Sequence, residues 1–266
     1  MTLRIRNRLL KFILFSGVFL PALSVYNFVV FLLYRENFEY RFTAFPDMIS
    51  VIVFYVFLFV LSALIYLFVL LTYYRFRTIM SNEIFFHLLS LYVLLFINLK
   101  SFFMNYSILE LPDSFFVYGM RIFYAVILLV PLYSFCGAFF SLGVENNRFD
   151  IIFYVLLVGF ALLSVLIPID SQTVGRGIYY RSYVLIYIYI IFIFLELLTM
   201  IIYLADRKIN TFRDNLVLML SSLVFSFSFL LLYIVNLIYV LALLTVIYFI
   251  SYYVYAKKLY KIYLWR

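Results

Sequence analysis

The chain has 266 residues, of which 68% are hydrophobic and only 12% are charged. Soluble domains contain roughly 45–50% apolar and about 25% charged residues, so composition excludes a water-soluble fold of this size. The net charge of +8 does not indicate nucleic-acid binding, because the basic residues are distributed among the segments between apolar runs. The composition therefore predicts an all-α, polytopic membrane protein embedded in a lipid bilayer.

The scarcity of reactive side chains limits the chemistry. Cys136 is the only cysteine and His87 the only histidine, which excludes an internal disulfide and any zinc or haem site that needs two imidazoles. The apolar runs show no nucleophile paired with a base and no cluster of acids for a metal ion. We therefore expect no cofactor and no enzymatic activity.

The first apolar run covers residues 12–33 and follows a basic segment. This start is similar to a secretory signal peptide, with a cleavage site available at Ser24. The run continues for nine residues beyond Ser24, and this length favours an uncleaved first span.

Further apolar runs follow along the chain. Five of them have about the length that crosses a ~30 Å hydrocarbon core, and they cover residues 48–74, 84–104, 116–142, 151–167 and 183–205. The last apolar stretch, 216–256, would form a helix of about 60 Å, twice that thickness. It is therefore expected to break near Asn236, which gives eight transmembrane helices. The predicted units are residues 1–47 (a basic segment, the first helix and a short outer loop), 48–256 (a seven-helix unit) and 257–266 (a basic tail).

The distribution of Lys and Arg predicts the orientation. With eight spans, fourteen basic residues lie on one side and six on the other. Cytoplasmic segments carry the excess of Lys and Arg, so both termini are expected in the cytoplasm of a multi-pass cell membrane protein.

Glu196 is the only acidic residue deep inside an apolar run, and it is eleven residues before Arg207. A charged carboxylate at mid-membrane costs roughly 2.5–3.5 kcal/mol, so such residues are functional candidates. One interpretation is a proton-binding or cation-binding group. The other, which we favour because no deep partner is visible, is a protonated or hydrogen-bonded carboxyl that fixes helix packing.

Three more residues complete the candidate intramembrane polar site. His87 is four residues after Glu83, so the two share a helix face, and it suits either a pH sensor or an interfacial packing role. Asn98 and Lys100 are near the far end of the same run. We expect Lys100 and Arg121 to extend their charges to the membrane surface. There they form a solvated rim or, together with Glu110 and Asp113, an outer ligand-contact surface.

Small residues mark two helix faces where another helix can approach closely. In the fourth span these are Ser134, Gly137, Ala138 and Ser141, and in the seventh they are Ser222 and Ser226. We expect helix contacts there, with a substrate path as the alternative.

Three segments carry a family resemblance. They are Tyr73-Tyr74-Arg75-Phe76-Arg77, Ala205-Asp206-Arg207-Lys208 and Ala256-Lys257-Lys258-Leu259, which follow or close helices of the seven-helix unit. This unit resembles the membrane module of bacterial seven-transmembrane receptors with diverse intracellular signalling modules. The resemblance implies a bacterial inner membrane as the location.

Members of that family carry an outer sensor domain and a cytoplasmic output domain, which one extra span and a short tail replace here. The resemblance therefore implies a receptor-like or regulatory module that signals through a separate partner. Lys257, Lys258 and Lys261 are the candidate residues for docking that partner. The alternative is a small transporter or permease-like subunit that uses Glu196.

Overall fold

A computed structural model describes residues 3–37, 47–76, 82–105, 112–141, 149–169, 185–205 and 212–264. Within these ranges the regular structure is helical throughout. The α-helices are α1 (Leu3–Leu33), α2 (Met48–Phe76), α3 (Asn82–Leu94), α4 (Leu99–Met104), α5 (Asp113–Ser141), α6 (Phe149–Leu166), α7 (Leu185–Ala205), α8 (Phe212–Ile234) and α9 (Ile238–Leu264). Short 3₁₀ helices cover Arg35–Asn37 and Leu95–Asn98.

Seven helical segments in the described ranges are long and apolar enough to cross a membrane. They are α1, α2, the segment formed by α3 and α4, α5, α7, α8 and α9. The predicted class, a helical multi-pass membrane protein, is therefore confirmed at this level. Helix α6 covers the predicted fifth run and has 18 residues, or about 27 Å at 1.5 Å per residue.

The break predicted near Asn236 is confirmed. Helix α8 ends at Ile234, and α9 begins at Ile238. The two helices then pack along each other in opposite directions, since Asp214 at the start of α8 pairs with Lys258 near the end of α9. A single continuous helix would have been too long for the bilayer, so the chain reverses where the apolar run reaches about twice the required length.

The third span is divided, although its sequence predicts one continuous helix. Residues Leu95–Asn98 form a 3₁₀ turn between α3 and α4. The Tyr233 hydroxyl, from the end of α8, donates a hydrogen bond to the Val93 carbonyl at 3.0 Å. In a regular α-helix that carbonyl would accept from the Ile97 amide, so a side chain inserted into the hydrogen-bond ladder explains the interruption.

The third span also lies at the centre of the bundle. In its most apolar window 78% of the residues are buried, against 22% in α7. It packs against α1, α2 and α5, and α8 and α9 form a pair beside it. A span in this position contacts protein on most sides, so its polar residues can find partners within the bundle.

Helix α1 is held against this central span by polar side chains. The Ser24 hydroxyl donates to the Asn98 side-chain oxygen at 2.5 Å, and the Asn27 amide donates to the Ser101 hydroxyl at 3.0 Å. The Asn105 amide donates to the Asn27 carbonyl at 2.6 Å. Interhelical hydrogen bonds of this kind stabilise membrane helix pairs by about 0.6 kcal/mol on average.

Two local features fix the start of α2 and its contact with α1. The Asp47 carboxylate accepts a hydrogen bond from the Ser50 amide at 2.8 Å and caps the helix. Hydrogen bonds from the side chain and backbone of Ser50 lower the pKa of this carboxyl. A Cβ atom at Gly17 would lie 3.0 Å from the Tyr66 ring, so glycine permits the close approach of α1 to α2.

Candidate functional site

Glu196 lies on the narrow inward-facing stripe of α7. The buried residues of this helix recur at helical spacing: Ile188, Phe192, Glu196, Thr199 and Tyr203. Glu196 is 2% exposed, although α7 as a whole is the least buried of the seven spans. The carboxyl group therefore points into the protein and away from the lipid.

The carboxyl group faces α8. Neither of its oxygen atoms has a hydrogen-bond partner within the described ranges. The Ser226 side chain, from α8, is the polar group directed at it. A hydroxyl group can donate to a carboxylate or accept from a carboxylic acid, so Ser226 can serve Glu196 in either protonation state.

Ser226 continues this polar line to α5. Its hydroxyl oxygen is 3.4 Å from that of Ser134, and both side chains are buried. Ser134 and Ser226 belong to the two small-residue faces that the sequence predicts as helix contacts, and that prediction is confirmed for these residues. The side chain of Ser141 lies outside the described residues.

Helix α3 lies against the small face of α5. A Cβ atom at Gly137 would lie 3.8 Å from the Glu83 carbonyl oxygen and 3.8 Å from the Phe86 Cβ, both ordinary van der Waals distances. Helices α3 and α5 contact each other extensively. This approach brings residues of α3 beside Ser134.

A small cavity occupies the junction, with space for about one water molecule. It is lined by three residues of α3 (Glu83, His87 and Ser90), three of α5 (Tyr133, Ser134 and Gly137), Phe225 of α8 and Tyr255 of α9. Ser134 lines this cavity and also faces Ser226. One buried polar cluster therefore extends from His87 and Glu83, through Ser134 and Ser226, to Glu196.

His87 is held between aromatic rings. It stacks on Tyr252 with centroids 4.4 Å apart and planes at 9°, and it lies 4.4 Å from the Tyr255 ring. Phe225 meets it edge-on at 5.5 Å. The residue is 6% exposed, and its Nε2 atom has no hydrogen-bond partner in the described part of the chain. Rings of α8 and α9 cover this side chain, which agrees with a packing role, while its position at the membrane interface stays a prediction.

The two tyrosines are themselves fixed to other helices. The Tyr252 hydroxyl is 2.7 Å from the Thr72 hydroxyl of α2, and the Tyr255 hydroxyl is 2.5 Å from that of Tyr203 on α7. His87 thus contacts a tyrosine pair on α9 that is hydrogen-bonded to two further helices. Movement of the imidazole would therefore displace two rings of α9 that are hydrogen-bonded to α2 and α7.

Glu83 is a second buried carboxyl, at the opposite end of the polar cluster from Glu196. It is 2% exposed and lines the same cavity as His87. Glu83 lies in the first turn of α3, so the burial of this carboxyl reflects packing between helices. The four-residue spacing predicts that Glu83 and His87 share a helix face. The burial of Glu83 could not be predicted, because it depends on α5 and α9, which are distant in the sequence.

Asn98 and Lys100 belong to a different site. Asn98 is directed toward Ser24 on α1, as described above. Lys100 is fully buried, and its ammonium group donates to the carbonyl oxygens of Leu232 at 2.6 Å and Val235 at 2.8 Å. The prediction that Lys100 reaches the membrane surface is therefore wrong, because the end of α8 supplies acceptors inside the bundle.

Arg121 has a similar role at another helix end. Its Nε donates to the Ile167 carbonyl at 3.1 Å, just past the end of α6, and its guanidinium lies 5.6 Å from the centre of the Tyr118 ring. A cation at a helix C-terminus is favoured by the helix dipole. The expected outer surface also included Glu110 and the Asp113 side chain, which lie outside the described residues.

The three candidate docking lysines differ in their surroundings. Lys257 and Lys261 are exposed, and Lys257 lies 5.8 Å from the Tyr253 ring. Lys258 forms an ion pair with Asp214 that links α9 to α8. Only Lys257 and Lys261 are therefore placed to contact another protein without breaking this link.

The described residues contain no group of three or more His, Cys, Asp or Glu side chains that could hold a metal ion. No family model, curated protein or solved structure matches the chain. Function must therefore be argued from the buried polar cluster.

Proposed function

We propose that this protein is a receptor-like or regulatory membrane module that signals through a separate partner. In this proposal the buried polar cluster is the sensing element, and the basic end of α9 is the output surface. Eight spans cross the membrane, with the start of α1 and the end of α9 both in the cytoplasm. Helix α6, at the fifth apolar run, and the excess of basic residues on one side support this topology.

The observation that carries the proposal is the contact of His87 with Tyr252 and Tyr255. These tyrosines lie on α9 within the three turns that precede Lys261. A change of charge or hydrogen bonding at His87 therefore acts directly on the helix that presents the exposed lysines. Rearrangement of a packed helix end is a common way to pass a signal between sites.

Neutralising the exposed lysines is the test. Lys257→Gln combined with Lys261→Gln should weaken binding of the partner roughly three- to tenfold, since each exposed ion pair contributes at most about 1 kcal/mol. The measurement is quantitative recovery of co-purifying proteins in mild detergent. Lys11→Gln, which removes one exposed charge from α1, is the matched control and should leave recovery unchanged.

A protein recovered with the wild type and the control, but selectively lost with the double variant, supports the proposal. Equal recovery from all three preparations would contradict it. Lys258 is left unchanged, because removing its ion pair with Asp214 would disturb the contact between α8 and α9.

The alternative is a small transporter or permease-like subunit. The specific observation in its favour is that Glu196 is buried, with no hydrogen-bond partner for either oxygen within the described ranges. A carboxyl group in such a position suits reversible binding of a proton or cation. Proton-coupled or ion-coupled flux in proteoliposomes that Glu196→Gln abolishes would favour transport over signalling.

A further inference from the structure

Two unpartnered polar groups lie at opposite ends of the buried cluster. The Nε2 atom of His87 and both carboxyl oxygens of Glu196 are buried without hydrogen-bond partners in the described residues. Most buried polar atoms in proteins have a partner, either protein or ordered water, so each exception needs an explanation.

The space between these groups is polar and almost continuous. His87 lines the cavity that has room for about one water molecule, and Ser134 lines it as well. Ser134 is 3.4 Å from Ser226, and Ser226 faces Glu196. A buried water needs two to four polar partners, and this cavity offers an imidazole, two serine hydroxyls and a carboxyl.

We propose that the cavity beside His87 holds one water molecule, and that this water, Ser134 and Ser226 conduct a proton to Glu196. The ligand of the sensing element is then the proton itself. This inference rests on the proposed function, in which the buried cluster is the sensor. The source of the proton is hydronium at the α3 end of the bundle.

The transfer conserves protons along the whole path. The water accepts a proton from hydronium and passes one of its own to Ser134, so it ends neutral. Ser134 passes its hydroxyl proton to Ser226, and Ser226 passes its own to Glu196. Each hydroxyl loses one O–H bond as it gains another, so both serines end neutral. Glu196 changes from carboxylate to carboxylic acid, and its new O–H group can donate to the Ser226 hydroxyl.

Other ionisable groups face this path from the surrounding helices. They are Glu83 on α3, Tyr133 on α5, Tyr203 on α7, and Tyr252 and Tyr255 on α9. Helix α8 contributes Ser226 and Phe225, which do not titrate.

The test is infrared spectroscopy of the full chain reconstituted in lipid, because a protonated carboxyl group has a distinct carbonyl stretching band. A band that changes with pH should be present in the wild type and absent in Glu196→Gln. After transfer to D₂O, the rate at which this band shifts reports proton access to Glu196. Ser134→Ala and Ser226→Ala should each slow that shift about tenfold, the effect of a barrier raised by one lost hydrogen bond.

Two controls separate the path from general structural damage. Ser226→Thr keeps the hydroxyl group and should restore the exchange rate of the wild type. Ser221→Ala removes a buried hydroxyl from the same helix, one that donates to its own backbone at Val217, and should leave the rate unchanged.

The proposal is overturned if no band depends on Glu196 at any pH, or if Ser134→Ala and Ser226→Ala exchange as fast as the wild type. Neither readout requires the partner protein. A normal infrared result with no lysine-dependent partner would therefore reject the signalling function and leave the proton path intact.

Discussion

Lys100 shows how a single buried charge is accommodated in this bundle. Placing an ammonium group in a membrane span costs roughly 2.5–3.5 kcal/mol. Its hydrogen bonds to Leu232 and Val235 are charge-assisted, and they lie where α8 ends and its last carbonyl groups lack helical partners. The negative end of the helix dipole adds to this attraction. Lys100 therefore serves as a cap for α8.

Replacing Lys100 tests this role. Lys100→Met keeps the length of the side chain but leaves the carbonyls of α8 without their donor, and it should lower the free energy of unfolding by about 2 kcal/mol. The measurement is reversible unfolding in mixed micelles. Lys257→Met, at an exposed position, should leave stability unchanged. Unaltered stability of Lys100→Met would mean that the cost of burying the charge cancels the two hydrogen bonds.

The sequence predicts where some buried polar residues lie along their spans, but it does not predict their partners. The distance of Glu196 from the end of its run predicts its depth in the membrane, and the structure shows separately that its side chain faces the protein interior. The partners of Lys100 are more than 130 residues away in the sequence and are backbone carbonyls, which carry no residue signature. Glu83 was likewise visible as a neighbour of His87, but its burial depends on packing between helices.

The interruption of the third span is the clearest feature at the level of secondary structure. The run contains neither glycine nor proline, so no helix-breaking residue marks the position. We attribute the break instead to the Tyr233 hydroxyl, which donates a hydrogen bond to the Val93 carbonyl. Lys100 donates in the reverse direction, from the third span to α8. Two hydrogen-bonding groups thus couple the break in one span to the end of another.

Removing the tyrosine hydroxyl should allow the third span to become more regular. In Tyr233→Phe the Val93 carbonyl becomes available to the Ile97 amide, and hydrogen exchange of residues 93–99 should slow. The accompanying change in stability is expected to stay within about 1 kcal/mol, the net contribution of one hydrogen bond. Tyr239→Phe, in which the altered side chain is 91% exposed, is the matched control. Unchanged exchange in Tyr233→Phe would show that other contacts impose the 3₁₀ turn.

At the scale of the whole molecule, the polar residues are concentrated on the central span and its immediate neighbours. Helices α1, α7 and α9 expose many large apolar side chains, as membrane lipid requires. Composition alone was sufficient to predict this class, and run length was sufficient to predict the reversal at Asn236. Which span is central could not be predicted, because apolar runs facing lipid and apolar runs facing protein look alike in sequence.

The orientation of α6 decides between seven and eight spans, and the sequence offers a direct way to measure it. Cys136 is the only cysteine and is fully buried, so the unaltered chain should react little with a membrane-impermeant maleimide. Single cysteines introduced as Asn147→Cys and Gln172→Cys flank α6 in the sequence. If α6 crosses the membrane, intact cells should label Gln172→Cys, and Asn147→Cys should react only after permeabilisation.

Cysteines near the two ends of the chain complete the measurement. Thr2→Cys and Trp265→Cys should behave like Asn147→Cys, because an even number of spans returns the chain to the side from which it started. Labelling of Asn147→Cys and Gln172→Cys from the same side would reduce the count to seven. The exposed lysines of α9 would then face away from the cytoplasm if the start of α1 lies inside, and a cytoplasmic signalling partner could not reach them.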